Sequence, residues 1–356
     1  MTKDYSAFLP GAATPAPQRA AIDALGWQAF FSAQLSIDEL ADTPPIRVTQ
    51  VHRNTLRIMG NGIDDTIPHA FEATVGDWLL FDPKTYKPIR LLERKSLIKR
   101  RAPGHDRSIQ LIAANIETAF ITTSCNADFN VARLERYIAL AFEAEIDPVI
   151  LLTKSDMTDD AADFIDQAQA IASDIPVIAL DARSSDPREK LAPWCKPGRT
   201  VAFLGSSGVG KSTLTNALAG TDDIATAGIR EDDARGRHTT TSRQLHIIKD
   251  GCVVLDTPGM RELQLTDATS GIEEVFADLH DLSTQCKFND CQHDTEPGCA
   301  VTAALERGEI DADRMARWRK LMAEEQFNSA SLAQRKTKDK ILGKTIKQIK
   351  KTKPRK

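Results

Sequence analysis

The sequence predicts a multidomain protein with a small N-terminal β-barrel, a central α/β domain and a C-terminal zinc knuckle with helices. Three observations predict this architecture. Short alternating segments between turn residues fill residues 44–112, strand-like and helical stretches alternate in residues 113–278, and three cysteines and a histidine cluster within residues 279–333. A helical extension is predicted for residues 1–43 and a basic tail for residues 334–356.

The barrel is predicted from the spacing of its segments. Short strands bounded by turn residues at close spacing are typical of a small barrel or sandwich. A five-stranded oligonucleotide-binding (OB) barrel fits the length, although periodicity alone does not choose that topology. One amphipathic helix is predicted before it, at residues 18–40. The strand-like segments are residues 46–52, 55–59, 77–81 and 89–93.

In the central domain, alternation of strands and helices predicts a mostly parallel sheet with helices on both faces. The predicted strands are residues 118–123, 148–153, 176–180, 200–204 and 252–256. The predicted helices are residues 132–145, 161–173 and 211–219.

The composition is that of an ordinary globular protein, with 41% hydrophobic and 27% charged residues. No segment approaches the roughly 20 apolar residues of a membrane helix. Residues 1–17 lack the basic and apolar regions of a signal peptide. We therefore expect a cytoplasmic protein without membrane contact, and a monomer, since no self-association feature is visible.

The net charge of −4 is unevenly distributed. Residues 334–356 contain eleven Lys or Arg and one acid, so this tail carries +10 and the remainder −14. A basic end on an acidic body is expected where one end contacts nucleic acid. The alternative is a solvated end, which is common among Lys-rich termini.

A phosphate-binding loop is predicted at residues 205–212, which read G-S-S-G-V-G-K-S and match G-x-x-x-x-G-K-[ST] between a strand and a helix. Glycines let backbone N–H groups converge on phosphate oxygens at the positive end of a helix. Lys211 would contact the outer phosphates, and the Ser212 hydroxyl would bind magnesium. The alternative is a Gly-rich turn. The predicted contacts are Gly205, Ser206, Ser207, Gly208, Val209, Gly210, Lys211, Ser212 and Thr213.

A guanine-reading segment is predicted at Thr153, Lys154, Ser155 and Asp156, after an apolar strand. The Asp156 carboxylate would accept two hydrogen bonds from the guanine edge, which adenine cannot donate. Thr153 replaces the commoner Asn and is expected to lose an amide that braces the phosphate loop. A surface turn is the alternative.

A magnesium-sensing segment is predicted where the sequence D-T-P-G ends a strand. Asp256 would hold magnesium through water, and the N–H of Gly259 would sense the γ-phosphate. Thr240, in a charged loop between this segment and the phosphate loop, is the expected second protein ligand of magnesium beside Ser212.

The order of these motifs is rotated. In ordinary GTPases the guanine segment comes last, but here Asp156 precedes Gly205 by about fifty residues. The same sheet can be kept if the chain is circularly permuted. The magnesium-sensing segment then leads directly into the C-terminal part.

Hydrolysis is expected to need help, because Met260 stands where many GTPases have a water-orienting Gln. His238, in the loop before Thr240, is the best candidate by side-chain chemistry. The alternative is an exposed loop histidine without a catalytic role.

A zinc site is predicted from four potential ligands within fourteen positions: Cys286, Cys291, His293 and Cys299. A Cys₃His set suits closed tetrahedral zinc and leaves no open position for catalysis, so the role would be structural. The alternative is three reduced cysteines and an unrelated histidine.

Taken together, these features resemble the ribosome small subunit-dependent GTPase A (RsgA) family. The resemblance includes the permuted motifs, the Cys-x₄-Cys-x-His-x₅-Cys spacing and the stretches at residues 110–115, 133–137, 236–241 and 296–301. It implies a GTP phosphohydrolase that is stimulated by the small ribosomal subunit and acts late in its maturation. It also implies binding of 16S rRNA on the 30S particle and departure on GTP hydrolysis.

The resemblance further implies roles for individual residues. The histidine of the G-x-H-T-T-T segment, here His238, would position the attacking water. Residues Asp181 and Ala182 stand where the family's more usual Ser-Ala pair would contact guanine. Zinc and magnesium are the implied cofactors, with GTP and GDP as ligands.

Two other interpretations remain at this point. In one, the protein is an RNA-binding module whose occupancy is regulated by nucleotide and whose turnover is incidental. In the other it is a P-loop ATPase or kinase, which Asp156 and the rotated motif order disfavour.

Overall fold

The chain falls into two compact units, which are described separately below. In our computed structural model the first unit comprises residues up to 256 and the second those from 267. Within the described part of the chain, no helix is both long and apolar enough to cross a bilayer. The described residues are 22–60, 62–101, 109–220, 244–248, 251–256 and 267–329.

Among the described residues before the first strand, helical residues 22–24, 29–32 and 37–42 are separated by non-helical ones, so the prediction of one helix at residues 18–40 is wrong. Helix α1 spans Ala29–Ser32 and α2 spans Ile37–Asp42. The Ser36 hydroxyl accepts a hydrogen bond from the Glu39 N–H, and the Glu39 carboxylate accepts one from the Ser36 N–H. Ser36 itself has extended backbone, so α2 begins as a new helix after it, with this capping box at its N-terminus.

Five antiparallel strands follow, in the spatial order β3-β2-β1-β4-β5. Apolar side chains at alternate positions, such as Ile46 and Val48 in β1, are fully buried in one core. This is the period-two pattern of a strand with one buried face. The strands are β1 (Pro45–Val51), β2 (Thr55–Gly60), β3 (Ile63–Pro68), β4 (Trp78–Asp82) and β5 (Lys87–Leu91).

The described strand pairings do not by themselves close this sheet into a barrel. Closing it into a barrel would require its edge strands, β3 and β5, to pair with each other. No such pair occurs among the described residues. A separate antiparallel pair follows, formed by β6 (Leu97–Arg101) and β7 (Ile109–Ala114).

The α/β part contributes six strands in the order β10-β9-β8-β11-β13-β12, all parallel except β12. Strand β12 also pairs with β1 at Gln244 and Gln50, so both parts share one 11-stranded mixed sheet. The strands are β8 (Thr118–Ser124), β9 (Asp147–Thr153), β10 (Val177–Leu180), β11 (Thr200–Gly205), β12 (Gln244–Ile247) and β13 (Val253–Asp256).

This strand order positions the site. The chain runs outward from β8 to β10 and then returns to place β11 on the other side of β8. In α/β sheets, ligands bind at the carboxyl ends of the strands beside such a reversal. The helices of this part are α3 (Val131–Glu143), α4 (Ala161–Gln169), α5 (Asp186–Lys190) and α6 (Lys211–Ala219).

Buried polar groups join the N-terminal segment to the start of β11. The Glu117 carboxylate accepts a 2.7 Å hydrogen bond from the Thr200 N–H and a 2.6 Å bond from the Gln28 side chain. Arg47, fully buried, donates to the carbonyl oxygens of Leu25, Gly76 and Asn115. Burial lowers the pKa of Arg47 to about 10.

The second unit is helical around a short irregular loop. The loop, residues 286–299, connects α8 to α9 and contains all four predicted zinc ligands. Val301 and Leu321 lie in the buried core of the second unit. The helices are α7 (Thr269–Val275), α8 (Ala277–Ser283), α9 (Ala300–Glu306) and α10 (Ala312–Ser329).

Candidate nucleotide site and metal centre

The loop between β11 and α6 has the backbone geometry of a phosphate cradle. Gly205 has φ +146°, and a Cβ there would lie 2.2 Å from the Thr122 carbonyl oxygen. Gly208 and Gly210 have φ +77° and +97°, a region that side chains rarely adopt. Among the described residues no atom lies within 4 Å of a Cβ built at Gly208, so this part of the loop faces open space.

The loop's lysine lies over its first residues. The Lys211 ammonium donates to the carbonyl oxygens of Gly205 at 2.9 Å and Ser206 at 2.5 Å. Ser212 and Thr213 follow in the first turn of α6, and both are half-buried. The predicted loop residues are therefore brought together at one helix N-terminus, where backbone N–H groups and a cation can hold an anion.

The guanine segment lies at the carboxyl end of β9, next to the phosphate loop. β9 ends at Thr153, Lys154 adopts φ +58°, and a 3₁₀ turn at Ser155–Met157 holds an exposed Asp156. An aspartate displayed at a strand end on a short turn can accept hydrogen bonds from a base edge.

Thr153 contacts the phosphate loop directly. Its fully buried hydroxyl lies 2.7 Å from the Val209 carbonyl oxygen and 3.1 Å from the Thr123 carbonyl oxygen. Sequence reasoning expected the brace between guanine segment and loop to be lost with the amide of Asn. The hydroxyl supplies a contact of its own, because β9 ends close enough to the loop for a short side chain to reach it.

The segment after β10 completes this corner of the site. Asp181 folds it into a turn, since its carboxylate accepts a 2.8 Å hydrogen bond from the Arg183 N–H. A Cβ built at Gly210 would lie 3.7 Å from the Ala182 Cβ and 3.8 Å from the Thr153 hydroxyl. Three segments that are distant in sequence therefore meet at the carboxyl ends of β9, β10 and β11.

Sequence reasoning missed Arg133 as a neighbour of the loop. This residue lies in the first turn of α3, and its guanidinium donates a 2.6 Å hydrogen bond to the Ser206 hydroxyl. A cation in the first turn of a helix opposes the helix dipole. That unfavourable placement is the signal in the sequence that could have drawn attention to it.

Several predicted site residues lie outside the described residues. These are His238, Thr240 and Gly259, together with the basic tail at residues 334–356. Asp256 is the last residue of β13, where its backbone is paired with Gln244 of β12. It stands one strand away from the phosphate loop, since β13 neighbours β11.

The second unit brings its four predicted metal ligands together. Their ligand atoms all lie within 4.8 Å of one another. A tetrahedral zinc ion separates its sulfur and nitrogen ligands by about 3.5–3.8 Å. The observed separations are 3.5 Å from Cys286 Sγ to His293 Nδ1, 3.6 Å from Cys299 Sγ to His293 Nδ1, and 3.9 Å between the Cys286 and Cys299 sulfurs. These three separations are compatible with tetrahedral coordination, and Cys291 Sγ lies within 4.8 Å of the other ligand atoms, so the cluster could hold one metal ion.

Groups around the four ligands favour this arrangement. Burial alone would raise the pKa of the Cys299 thiol, but hydrogen bonds from the Thr302 hydroxyl and N–H, and the nearby His293, lower that pKa to about 6. The Glu296 carboxylate accepts hydrogen bonds from the N–H groups of Gln292 and Asp294, which lower its pKa to about 2. The first of these effects stabilises a thiolate, and the second closes the loop around the ligands.

Comparisons with known proteins agree with this geometry. A sequence profile of the family described as RsgA GTPase matches residues 91–266. The chain is 44% identical over 328 residues to the small ribosomal subunit biogenesis GTPase RsgA 2 of Vibrio vulnificus, covering 91% of this chain and 94% of that protein. It is 50% identical over 313 residues to RsgA of Mesorhizobium japonicum, covering 86% and 90%.

Two solved structures share the fold. The crystal structure of YjeQ from Thermotoga maritima has a TM-score of 0.59 at 24% identity, covering 79% of this chain and 98% of that one. YloQ, whose structure is described as a circularly permuted GTPase, has a TM-score of 0.55 at 22% identity, covering 81% and 97%. Since its relatives match nearly the whole chain and its nucleotide motifs follow the rotated order, this protein belongs to the RsgA family of circularly permuted GTPases.

Proposed function

We propose that this protein is a GTPase of small-subunit biogenesis, which binds 16S rRNA on the 30S particle, is stimulated by that particle and leaves it on hydrolysis. The observation that carries the proposal is that Thr153, Ala182 and Gly210 lie close together. They belong to the guanine segment, the segment after β10 and the phosphate loop, and the guanine segment precedes the phosphate loop in the sequence. Relatives at 44–50% identity that carry the name small ribosomal subunit biogenesis GTPase support the ribosomal role.

In this proposal each part of the nucleotide has its own set of protein groups. Asp156 reads the guanine edge, and Lys154 lies along the base. The loop from Gly205 to Thr213 holds the phosphates through backbone N–H groups, with the Lys211 ammonium at the outer ones. The convergence of these segments on the carboxyl ends of β9 and β11 supports this division.

Magnesium would be held by Ser212 and Thr240, with Asp256 acting through water and the Gly259 N–H sensing the γ-phosphate. The ion would supply charge neutralisation on the outer phosphates. His238 would orient the attacking water, since Met260 offers no polar group for this task. An auxiliary water-positioning group is consistent with activation by a partner particle.

We propose one structural zinc ion in the second unit, bound by Cys286, Cys291, His293 and Cys299. The separations of 3.5–3.9 Å among Cys286, His293 and Cys299 support it, and all four ligand atoms lie within 4.8 Å of one another. With four protein ligands no position would be open to substrate, so the ion would fold the loop rather than take part in hydrolysis.

We also propose the domain division stated above and a cytoplasmic monomer. Residues 44–112 would form an OB-like barrel, residues 113–278 the GTPase domain and residues 279–333 the zinc domain. The barrel, the zinc domain and the tail would bind rRNA. For the tail the support is its charge of +10, since clustered positive charge favours a phosphate backbone.

GTP turnover with and without purified small ribosomal subunits tests the proposal. We expect turnover to rise when 30S particles are added and to stay at its basal value with 50S particles. If 30S particles leave turnover unchanged while rRNA binding persists, the protein is an RNA-binding module with incidental turnover. That outcome would overturn the enzymatic part of the proposal.

A further inference from the structure

Arg133 and the phosphate loop form a built contact. One nitrogen of its guanidinium, Nη1, lies 2.6 Å from the Ser206 hydroxyl and 3.0 Å from Asp128 Oδ1. Nη1 carries two hydrogens, so it can donate to both oxygens at once. Asp128 therefore orients the guanidinium, and Ser206 connects it to the loop.

The position of Arg133 on its helix gives this contact a cost. Asn130 caps α3 by accepting a 2.9 Å hydrogen bond from the Arg133 N–H, which places Arg133 in the first turn. The positive end of the helix dipole disfavours a cation there. The same location is favourable if an anion lies in front of both the helix end and the guanidinium.

The contact lies next to the lysine of the loop. Ser206 also accepts a hydrogen bond from the Lys211 ammonium, through its carbonyl oxygen. Two cations therefore converge on one loop residue, one at its side chain and one at its backbone. In a loop of this type the lysine reaches the β- and γ-phosphates. Arg133 consequently adds positive charge at the end of the site where GTP and GDP differ.

Donors of Arg133 remain for a ligand. Within the described parts of the chain, its Nε and Nη2 atoms have no protein acceptor. The side chain is 39% exposed. A guanidinium with free N–H groups is well suited to phosphate oxygens.

We propose that Arg133 is a positioning residue which holds the outer-phosphate end of the loop through Ser206 and thereby favours GTP over GDP. This inference rests on the proposed GTP-binding function of the same loop. It assigns to α3, an element outside the nucleotide motifs, the selection of the triphosphate.

The test compares Kd for GDP and for a non-hydrolysable GTP analogue in Arg133→Ala, with Arg57→Ala as the matched control. Arg57 is also paired with one aspartate, Asp64 at 3.1 Å, but lies in β2. For Arg133→Ala we expect the Kd for the GTP analogue to rise about five- to tenfold and the Kd for GDP to change less than about twofold. Arg57→Ala should change neither value.

A double-mutant cycle tests the route through the loop. Ser206→Ala should reproduce part of the loss, and the double variant should lose less than the product of the single losses. Arg133→Lys keeps the charge but not the planar group, so it should recover part of the GTP preference. Melting temperatures of the variants show that each is folded.

Three outcomes would overturn the inference: an unchanged GTP to GDP ratio in Arg133→Ala, an equal loss for both nucleotides, or independent effects of the Arg133 and Ser206 substitutions. None of these three measurements involves ribosomal particles. Failure of the proposed function would instead appear in the wild-type protein, as turnover that does not respond to 30S particles.

Discussion

The hydroxyl of Thr153 donates a hydrogen bond to the carbonyl oxygen of Val209 over 2.7 Å, and so joins the guanine segment to the phosphate loop. The two residues are 56 positions apart in sequence. Their contact holds the proposed base-reading segment at a fixed distance from the proposed phosphate loop. The two segments are then already aligned before a nucleotide binds, which lowers the entropic cost of ordering them on binding.

This contact predicts the behaviour of Thr153→Val. Valine has nearly the same shape but cannot donate, so the loop carbonyl loses a partner in a buried position. One such bond contributes about 0.5–1.5 kcal/mol, so we expect roughly three- to tenfold weaker GDP and GTP binding. Thr153→Ser keeps the hydroxyl and is the control. Titration with a fluorescent GDP gives the Kd for GDP, and competition with GTP gives the Kd for GTP. Equal Kd values for Thr153→Val and Thr153→Ser would contradict a role of this hydrogen bond in binding.

The proposed base-reading role of the exposed Asp156 gives a second prediction. Replacing its carboxylate in Asp156→Asn puts an amide where two guanine donors need acceptors, so GTP should bind at least about tenfold more weakly. ATP should then compete better relative to GTP. Asp159→Asn, an exposed neighbour, is the control and should keep guanine preference. If ATP and GTP compete with the Asp156 variant as they do with the native protein, the base-reading role belongs to another residue.

The loop glycines predict two different kinds of defect. In Gly205→Ala the new methyl would lie 2.2 Å from the Thr122 carbonyl oxygen, so strands β8 and β11 must separate. We expect a loss of about 3 kcal/mol or more in the free energy of unfolding. Gly208→Ala meets open space but has φ +77°, so it should cost only about 1–2 kcal/mol while weakening nucleotide binding. Denaturant unfolding separates the two, and equal stabilities would contradict the close approach.

Much of the nucleotide site can be predicted from the sequence, because each motif lies at the end of an apolar strand. Helix α6 was predicted at residues 211–219 and is observed at Lys211–Ala219. The contacts of Thr153 and Arg133 could not be predicted in this way. Each depends on how closely distant strands and helices approach, and a single hydroxyl or guanidinium carries no motif.

In the N-terminal sheet, one whole strand could not be predicted from the sequence. Strand β3, at Ile63–Pro68, was not predicted, because it contains two aspartates and ends in proline. Only Ile67 in it is fully buried. It forms because it pairs with β2 along its whole length, and such pairing is a tertiary contact rather than a local preference. The junction of β1 with β12 is equally non-local.

The stability of the second unit should depend on the proposed zinc ion. In Cys291→Ala the proposed zinc loses one of four ligands, so metal analysis should find much less than one zinc per chain. The helical signal of residues 267–329 should then melt at a lower temperature, since metal binding and folding of such a loop are coupled. Cys195→Ala, in the first unit, should keep stoichiometric zinc. Retention of full zinc by the Cys291 variant would remove that residue from the ligand set.

Glu296 should make the fold of this loop sensitive to acid. Its folded-state pKa is lowered to about 2 by the N–H groups of Gln292 and Asp294, so its contribution is fully present above the unfolded value near 4.5 and is lost as pH falls towards 2. Glu296→Gln cannot carry the charge and should lack this dependence. Protection of the two amides from hydrogen exchange, followed against pH in both proteins, measures it. Identical profiles would mean that the carboxylate does not hold the loop.

The basic tail should make RNA binding depend steeply on salt. Each phosphate that a Lys or Arg neutralises releases counterions, so the logarithm of the association constant falls with the logarithm of salt concentration. Truncation after Ala333 removes eleven such residues and should flatten this slope. A tail with the same residues in shuffled order should restore the slope, because the effect depends on charge rather than sequence. If truncation leaves the slope unchanged, the rRNA contacts lie elsewhere in the chain, and if shuffling fails to restore it, the tail recognises RNA through specific contacts.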